Sequence, residues 1–451
     1  TSRRASEHQS SWYRTPRERE TRVLELRGLS FRSSHRAMSK EVLIVGGGVV
    51  GLSIAYYLAS TNHSVRIIER DDSLAKSCSE GNAGMVVPSH FIPLAAPGVI
   101  SQGLKWMLNP TSPFYLRPRL SPSLARWIWL FTKHSTKRHV FNTQELLRDL
   151  SLESRRLHVE LSKNEDFPLI QKGLLMLCQS NAGLDEEAQV AKVAHTLGLE
   201  AEVCDQNRLK ELEPNAQINA RGGIWWPQDC HLSPKDFIQA LRHSILKNGG
   251  EFTLGEVEKL EIDHGKVKDV ITKSGEIYSA ETIILAGGID TTELAKQVGL
   301  ALPMQGGKGY SVTLPEPTAN PLLCSLLKEG RVAVTPMGGT LRVSGTMEIC
   351  GTDTSVSKRR LRGVIEAFCN FYPQYSPSDF ENLEPWVGLR PCSPDGLPYL
   401  GFAPQHDNLI IATGHSMMGL SLAPITGKLV ADLVSGNKST INLARLSPGR
   451  F

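Results

Sequence analysis

Residues 41–69 read EVLIVGGGVVGLSIAYYLASTNHSVRIIE, and this stretch decides the fold. Glu41 to Val45 is a short apolar run of β character, Gly46 to Gly51 is a turn, and Leu52 to Ser60 carries apolar residues on most faces of a helix. Val65 to Glu69 is a second buried strand, so the segment is a βαβ unit of the dinucleotide-binding kind. Gly46-Gly47-Gly48-Val49-Val50-Gly51 places G-x-G-x-x-G between strand and helix, and Glu69 ends the next strand 18 residues after Gly51. Each position has a physical task. Gly46 makes the turn, and Gly48 lets a pyrophosphate approach the backbone amides, those of Val49 and Val50 among them, at a positive helix end. Gly51 lets helix and strand pack, and Glu69 accepts from ribose hydroxyls. A glycine-rich packing turn would have no use for the acid in register.

The same stretch contains 18 uncharged residues, Val42 to Ala59, which by length alone is a marginal membrane span. Gly46, Gly47, Gly48 and Gly51 weaken a helix and mark a tight turn instead.

Working outward, 451 residues suggest two or three structural units, and 40% apolar with 21% charged residues is a globular composition. The net charge of +4 is local: residues 1–37 hold nine Arg against four Glu, which leaves −1 for the rest and argues for no nucleic-acid partner. Residues 1–37 lack a secretory apolar stretch and read as a disordered leader or over-extended start, with an Arg-rich presequence as the rival. The eight cysteines are widely spaced, with no pair at zinc or redox spacing, so no metal site is expected and the thiols read as reduced, on the cytoplasmic side.

Between Phe91 and Gly223 the chain is first Pro-rich and then helical, notably Gln144 to Lys163, and reads as an inserted second domain. A helix over Lys235–Asn248 precedes β runs at Val257–Ile262, Val267–Thr272 and Glu281–Leu285, and a further β-rich stretch runs from Val312 to Val343. Leu409 to Thr413 is a strand and Ser421 to Ser435 a helix closed by Gly436. Ala286-Gly287-Gly288 after a buried strand, and the loop from Gly414 to Gly419 before that helix, are what a long flavin needs beyond its ADP half. Each is equally an ordinary packing element, and the glycine fingerprint does not itself decide between NAD and FAD.

More specific segments are Gly81-Asn82-Ala83-Gly84, Ala95 to Met107, Asp229-Cys230, Lys308-Gly309-Tyr310-Ser311, Arg342 to Glu348, Trp386-Val387-Gly388-Leu389-Arg390-Pro391 with Pro394-Asp395-Gly396, and Thr413-Gly414-His415. In these the chain, from about Val42 to Ser435, resembles the bacterial D-amino-acid dehydrogenase small subunits, within the D-amino-acid oxidase and glycine oxidase superfamily. The resemblance implies an α/β plus α+β fold: a Rossmann-like FAD-binding domain (39–90, 225–295 and 388–441) interleaved with a mixed-sheet substrate domain (91–224 and 296–387). It implies FAD, touched by the glycine loop and by Asn82, Ala83, Gly84, Ala286, Gly287, Gly414 and Gly419. It also implies oxidation of a D-amino acid, or a cyclic relative such as a hydroxyproline, to the imino acid.

Arg390 matches the superfamily arginine that grips the substrate carboxylate, a task suited to a planar guanidinium with two parallel donors; bracing a loop is the other reading. Tyr310 matches the Lys-Gly-Tyr tyrosine, either lining the pocket or buried on a backbone partner. His415 either faces the flavin edge or is positional. Met417 stands where members resembling glycine oxidase carry a second Arg, which removes that clamp. Cys392 does not fit the spacing of a flavin-tethering cysteine, so the expected FAD is non-covalent. Trp106, Trp127, Ile128, Trp129, Leu130 and Phe131, among Lys105, Arg117, Arg119, Arg126, Lys133, Lys137 and Arg138, read either as an interfacial membrane contact or as a core helix with a basic edge. The membrane reading would place the protein peripherally on the inner face and send electrons to a quinone or electron-transfer partner. A glycine or sarcosine oxidase using oxygen, or a flavin-binding module without turnover, are the alternative functions.

Overall fold

The computed structural model describes residues 39–71, 77–107 and 112–451, without the side chains of 104–107. The expected leader over 1–37 lies outside them. Two sheets organise the rest. The first strand, β1 (Glu41–Val45), leads through the glycine turn into α1 (Val49–Ala59) and returns as β2 (Ser64–Glu69). With β3 (Glu251–Leu254), β4 (Thr282–Leu285), β8 (Tyr399–Phe402) and β9 (Leu409–Thr413), these form a six-stranded sheet in the order β3-β2-β1-β4-β9-β8. All its pairs are parallel except β8 with β9.

The central strands are buried on both faces, and their side chains alternate accordingly. Val42, Ile44, Ile67, Ile284 and Ile410 face α1 and the C-terminal helix (Ala423–Ser435). Leu43, Val45, Ile68, Ile283 and Ile411 face the antiparallel meander of Val257–Asp263, Lys266–Thr272 and Ile277–Tyr278, through Leu260, Val267 and Val270.

The second sheet has nine strands and mixed direction. Its edge is β7 (Trp386–Cys392), which pairs with β5 (Gln305–Leu314); β5 pairs with β6 (Thr340–Ile349), and the sheet continues through Val332–Met337, Cys324–Leu327, Leu174–Cys178, Gly222–Trp226 and Glu202–Cys204. Two expected boundaries need correction: 388 falls inside β7 and 224/225 inside Gly222–Trp226, both whole strands of this sheet.

The inserted segment also divides differently from the expectation. Its long helix spans Lys137–Asn164, starting seven residues before the expected Gln144 because Thr136 caps it by accepting from His139 N at 3.1 Å. Leu147, Leu150, Leu157 and Leu161 pack into the core under the six-stranded sheet. So this helix, expected in the substrate domain, belongs by its packing to the nucleotide half.

The preceding helix, Pro122–His134, settles part of the aromatic stripe. Trp127 is buried, stacks on Phe131 with ring centroids 4.9 Å apart, and donates through Nε1 to the Cys392 carbonyl at 2.9 Å. Leu124 and Leu130 are buried with it, whereas Ile128 and Trp129 face out, with Lys133 over the Trp129 ring. Trp127, Leu130 and Phe131 are therefore core residues, placed by a helical period that sends every third or fourth side chain inward; the Trp106 side chain lies outside the described residues. No helix among the described residues is long and apolar enough to cross a membrane.

The chain end is fastened to the Pro394-Asp395-Gly396 turn. Arg450 donates from Nε to Asp395 Oδ2 at 2.8 Å and from Nη2 to Asp395 Oδ1 at 3.0 Å and the Leu397 carbonyl at 2.8 Å, and its guanidinium lies 4.0 Å from the centre of the Tyr399 ring. Both charged side chains are about nine-tenths or more out of solvent.

Candidate active site

The glycine turn is shaped by its crowding. Gly46 has φ +110°, and a Cβ there would lie 2.7 Å from the Ala286 carbonyl carbon and oxygen, so only glycine lets the end of β1 meet the end of β4. A Cβ on Gly51 would strike the Gly46 carbonyl oxygen. Gly48 is the extended N-cap residue of α1 and caps it with no side chain, leaving the first helical turn approachable. Val49 N donates to Ser79 Oγ at 3.0 Å. Glu69 Oε2 accepts from Gly47 N at 2.6 Å and Oε1 from Asp71 N at 3.1 Å, which fixes the carboxylate beside the turn.

A second segment, residues 80–84, crosses between the sheets. Asn82 Oδ1 accepts from Gly84 N at 2.9 Å, and Ala83 packs against the core under the nine-stranded sheet. Arg342 of β6 reaches over and donates from Nη1 to the carbonyls of Glu80 at 2.8 Å and Asn82 at 2.9 Å. Gly81 lies flat under the Trp386 ring, where a Cβ would overlap it.

Arg390 projects from β7 on the face it shares with Gly307 and Gly309 of β5. Its guanidinium lies directly across Gly309, where any Cβ would collide with it. Between the pairs Lys308–Glu348 and Tyr310–Gly345, β6 contains one residue more than β5, a bulge at Thr346–Met347. Thr346 sits there at φ +68°, costly for a β-branched residue, and its carbonyl accepts from Arg390 Nη1 at 2.9 Å. Among the described residues this is the only hydrogen bond of the guanidinium, and it has no carboxylate partner. Burial pulls its pKa below the usual arginine value, so the site holds a desolvated cation that gains from an anion.

A cleft of about 1090 Å³ joins these parts, lined by Gly46, Gly48, Glu69, Asn82, Ala286 and Gly287 toward the first sheet and by Trp386 and Arg390 at the second. A family model described as DAO, FAD dependent oxidoreductase, matches residues 41–433. The chain belongs to this family of FAD-dependent oxidoreductases. Its relatives include the D-amino acid dehydrogenase of Vibrio atlanticus, 32% identical over 423 residues, covering 91% of this chain and 100% of that protein. The D-amino acid dehydrogenase of Methylobacterium nodulans is also 32% identical, over 91% of this chain and 99% of its own. The crystal structure of glycine oxidase from Geobacillus kaustophilus superposes with a TM-score of 0.71 at 26% identity, covering 92% of this chain and 99% of that one.

The residues fit FAD: the cradle at Gly46 and Gly51 that a Cβ would fill, the amide end of α1, an acid at the end of β2 fixed beside the glycine turn, and a cleft that runs from there to Trp386 and Arg390. Replacing Glu69 by Arg is expected to weaken FAD binding by one to two decades, since a charge-assisted bond is worth about 1.5–3 kcal/mol; flavin absorbance retained after gel filtration measures it, and an unchanged FAD content would show that Glu69 only closes the loop.

Five further residues named from the sequence are placed differently from Arg390. Tyr310 is next to Gly309 on β5 and so points to the opposite face; its hydroxyl donates to Glu348 Oε1 at 2.5 Å and accepts from Ser357 N at 3.1 Å. Glu348 also faces Lys308 and Arg360, so the Tyr310 hydroxyl is held in a buried polar network, while the residue itself contributes to the lining of the cleft. His415 is buried, neutral with its pKa pushed down to about 4 by burial, and Nε2 lies 3.0 Å from Thr426 Oγ1 of the C-terminal helix. It ties the loop to that helix. Gly414, at φ +79°, packs against Tyr399, while a Cβ on Gly419 would meet only His415 Cβ, at an ordinary contact distance of 3.8 Å. Met417 is 45% exposed at the cleft. Sequence reasoning passed over Ser79, which bonds the helix end, and Gly309, whose missing side chain makes room for Arg390.

Proposed function

We propose that the protein oxidises a D-amino acid, or a cyclic relative such as a hydroxyproline, to the imino acid, which water hydrolyses to the keto acid, with electrons passing to an acceptor other than oxygen. The observation that carries it is Arg390: a buried guanidinium with one backbone partner and no acid, lying in the same cleft as the cofactor cradle. Bound FAD supplies the two-electron acceptor for the α-hydrogen. Arg390 binds the carboxylate through its free donors and fixes Cα at one distance, Gly309 sets the plane of the guanidinium, and Trp386 with Gly81 closes the wall. The relatives named D-amino acid dehydrogenase support the D configuration and the non-oxygen acceptor. The buried thiol of Cys392, its pKa pushed up to about 12, supports a non-covalent cofactor.

The region from Leu120 to Phe141 supports a peripheral membrane contact through which a quinone would be met. It exposes Leu120, Trp129 and Phe141 among Arg126, Lys133, Lys137 and Arg138. The test is anaerobic bleaching of the flavin by a panel of D- and L-amino acids that includes proline and hydroxyprolines, followed by turnover with a quinone analogue against oxygen and sedimentation with anionic vesicles. D-selective bleaching, slow peroxide formation and salt-sensitive vesicle binding are the expected results. Rapid peroxide formation from glycine or sarcosine would replace this reading by the oxidase, and no bleaching by any amine would leave a flavin-binding module.

A further inference from the structure

Three polar residues outside the contacts above form a chain that ends in the cleft. Asp229, in the turn between strands Gly222–Trp226 and Cys230–Leu232, is fully buried, and its carboxylate takes two hydrogen bonds from one residue: Ser89 N at 3.1 Å and Ser89 Oγ at 2.5 Å. The single hydroxyl proton of Ser89 is thereby committed, so its oxygen can only accept from the next group, His90 Nδ1, at 3.3 Å. This assigns the imidazole proton to Nδ1 and leaves a lone pair on Nε2. Nε2 has no partner among the described residues, and His90 lines the cleft.

We propose that His90 accepts the proton that the substrate's ammonium group must lose, with Ser89 and Asp229 as positioning residues that carry the charge away. This rests on the amino-acid reading. An amino acid arrives as an ammonium carboxylate, and its nitrogen lone pair must be free before the α-hydrogen leaves with its electron pair. In the step assigned to the relay, the ammonium N–H bond breaks and a bond forms at His90 Nε2. Nδ1 gives its proton to Ser89 Oγ, which gives its own to Asp229 Oδ2. A neutral amine, a neutral imidazole of the other tautomer, an unchanged hydroxyl and a protonated carboxyl result, and no electrons are exchanged.

The surroundings favour carrying the proton through to the far end. Burial and the nearby Arg331 push the His90 pKa down to about 4, so a lasting imidazolium is disfavoured. Burial raises Asp229 to about 7, against the pull of the two Ser89 bonds and of Arg155. Cys230 and Cys324, which also face Asp229, are kept protonated by burial.

The experiment is the rate of anaerobic flavin reduction in the holoenzyme, measured against pH with the amino acid found by the panel. The wild-type rate rises with pH as Asp229 loses its proton. Asp229→Asn keeps one acceptor oxygen for Ser89, replaces the other by an amide donor and cannot take a proton, and at neutral pH it is expected to be slower by about 10²-fold, the low end for general-base catalysis. Ser89→Ala and His90→Ala share that loss, Ser89→Thr restores most of the rate, and all the gaps close at alkaline pH, where the dissolved amine is already neutral. A loss of equal size at every pH, or variants with the wild-type profile, overturns the relay while the amino-acid reading stands. Wild-type protein that no amino acid reduces overturns both.

Discussion

Replacing Arg390 by Met is expected to leave FAD content and thermal stability close to wild type and to lower kcat/KM by about 10²- to 10³-fold. The estimate follows from the cost of about 2–5 kcal/mol for removing one partner of a desolvated charge pair. The residue sits on the far side of the cleft from Glu69 and Gly46, so the cofactor end is untouched. Burial makes the free guanidinium expensive, so truncation removes a liability from the apoprotein while removing the proposed carboxylate anchor. Arg390→Lys is expected to recover little, because a point charge offers no second donor in the plane set by Gly309. Steady-state kinetics beside flavin absorbance decides this, and unchanged turnover in Arg390→Met would leave the side chain as a brace for the Thr346 bulge.

The largest expected loss of stability is at Arg450. Arg450→Ala leaves the Asp395 carboxylate buried with only the Leu397 amide as its donor and strips a cation from the Tyr399 ring. Breaking a buried pair in this way costs about 3–5 kcal/mol, several times what an exposed pair is worth. Denaturant unfolding of the holoprotein measures it. Asp395→Asn with Arg450→Met is expected to recover part of the loss, since removing both charges leaves neither stranded. A single variant as stable as wild type would mean that water reaches the pair.

The parts of the fold legible in the sequence are those with a local signal. The βαβ unit was readable because turn, helix end and acid are fixed by spacing within one 29-residue stretch, and β1, β2 and β9 lie within a residue of the expected bounds. The long helix was visible through its leucines, yet which sheet it covers was not, because an apolar stripe does not name its partner. In Lys308-Gly309-Tyr310 the eye goes to the hydroxyl, but that hydroxyl is tied to Glu348 and Ser357, and it is the glycine that leaves room for the Arg390 guanidinium. The bulge at Thr346 has no sequence signature, and it aims the carbonyl that orients Arg390. Ser89 and Asp229 are 140 positions apart, so no pattern could have joined them.

Gly309 also marks how close this enzyme stands to losing its reaction. The nearest atoms to an added side chain there are all at the mobile tip of Arg390, so the chain can yield by swinging the arginine aside while the backbone, the core and the cofactor cradle stay as they are. If Arg390 anchors the substrate as proposed, a single codon change at this position opens a route from a working flavoenzyme to a yellow, well-folded protein that turns nothing over.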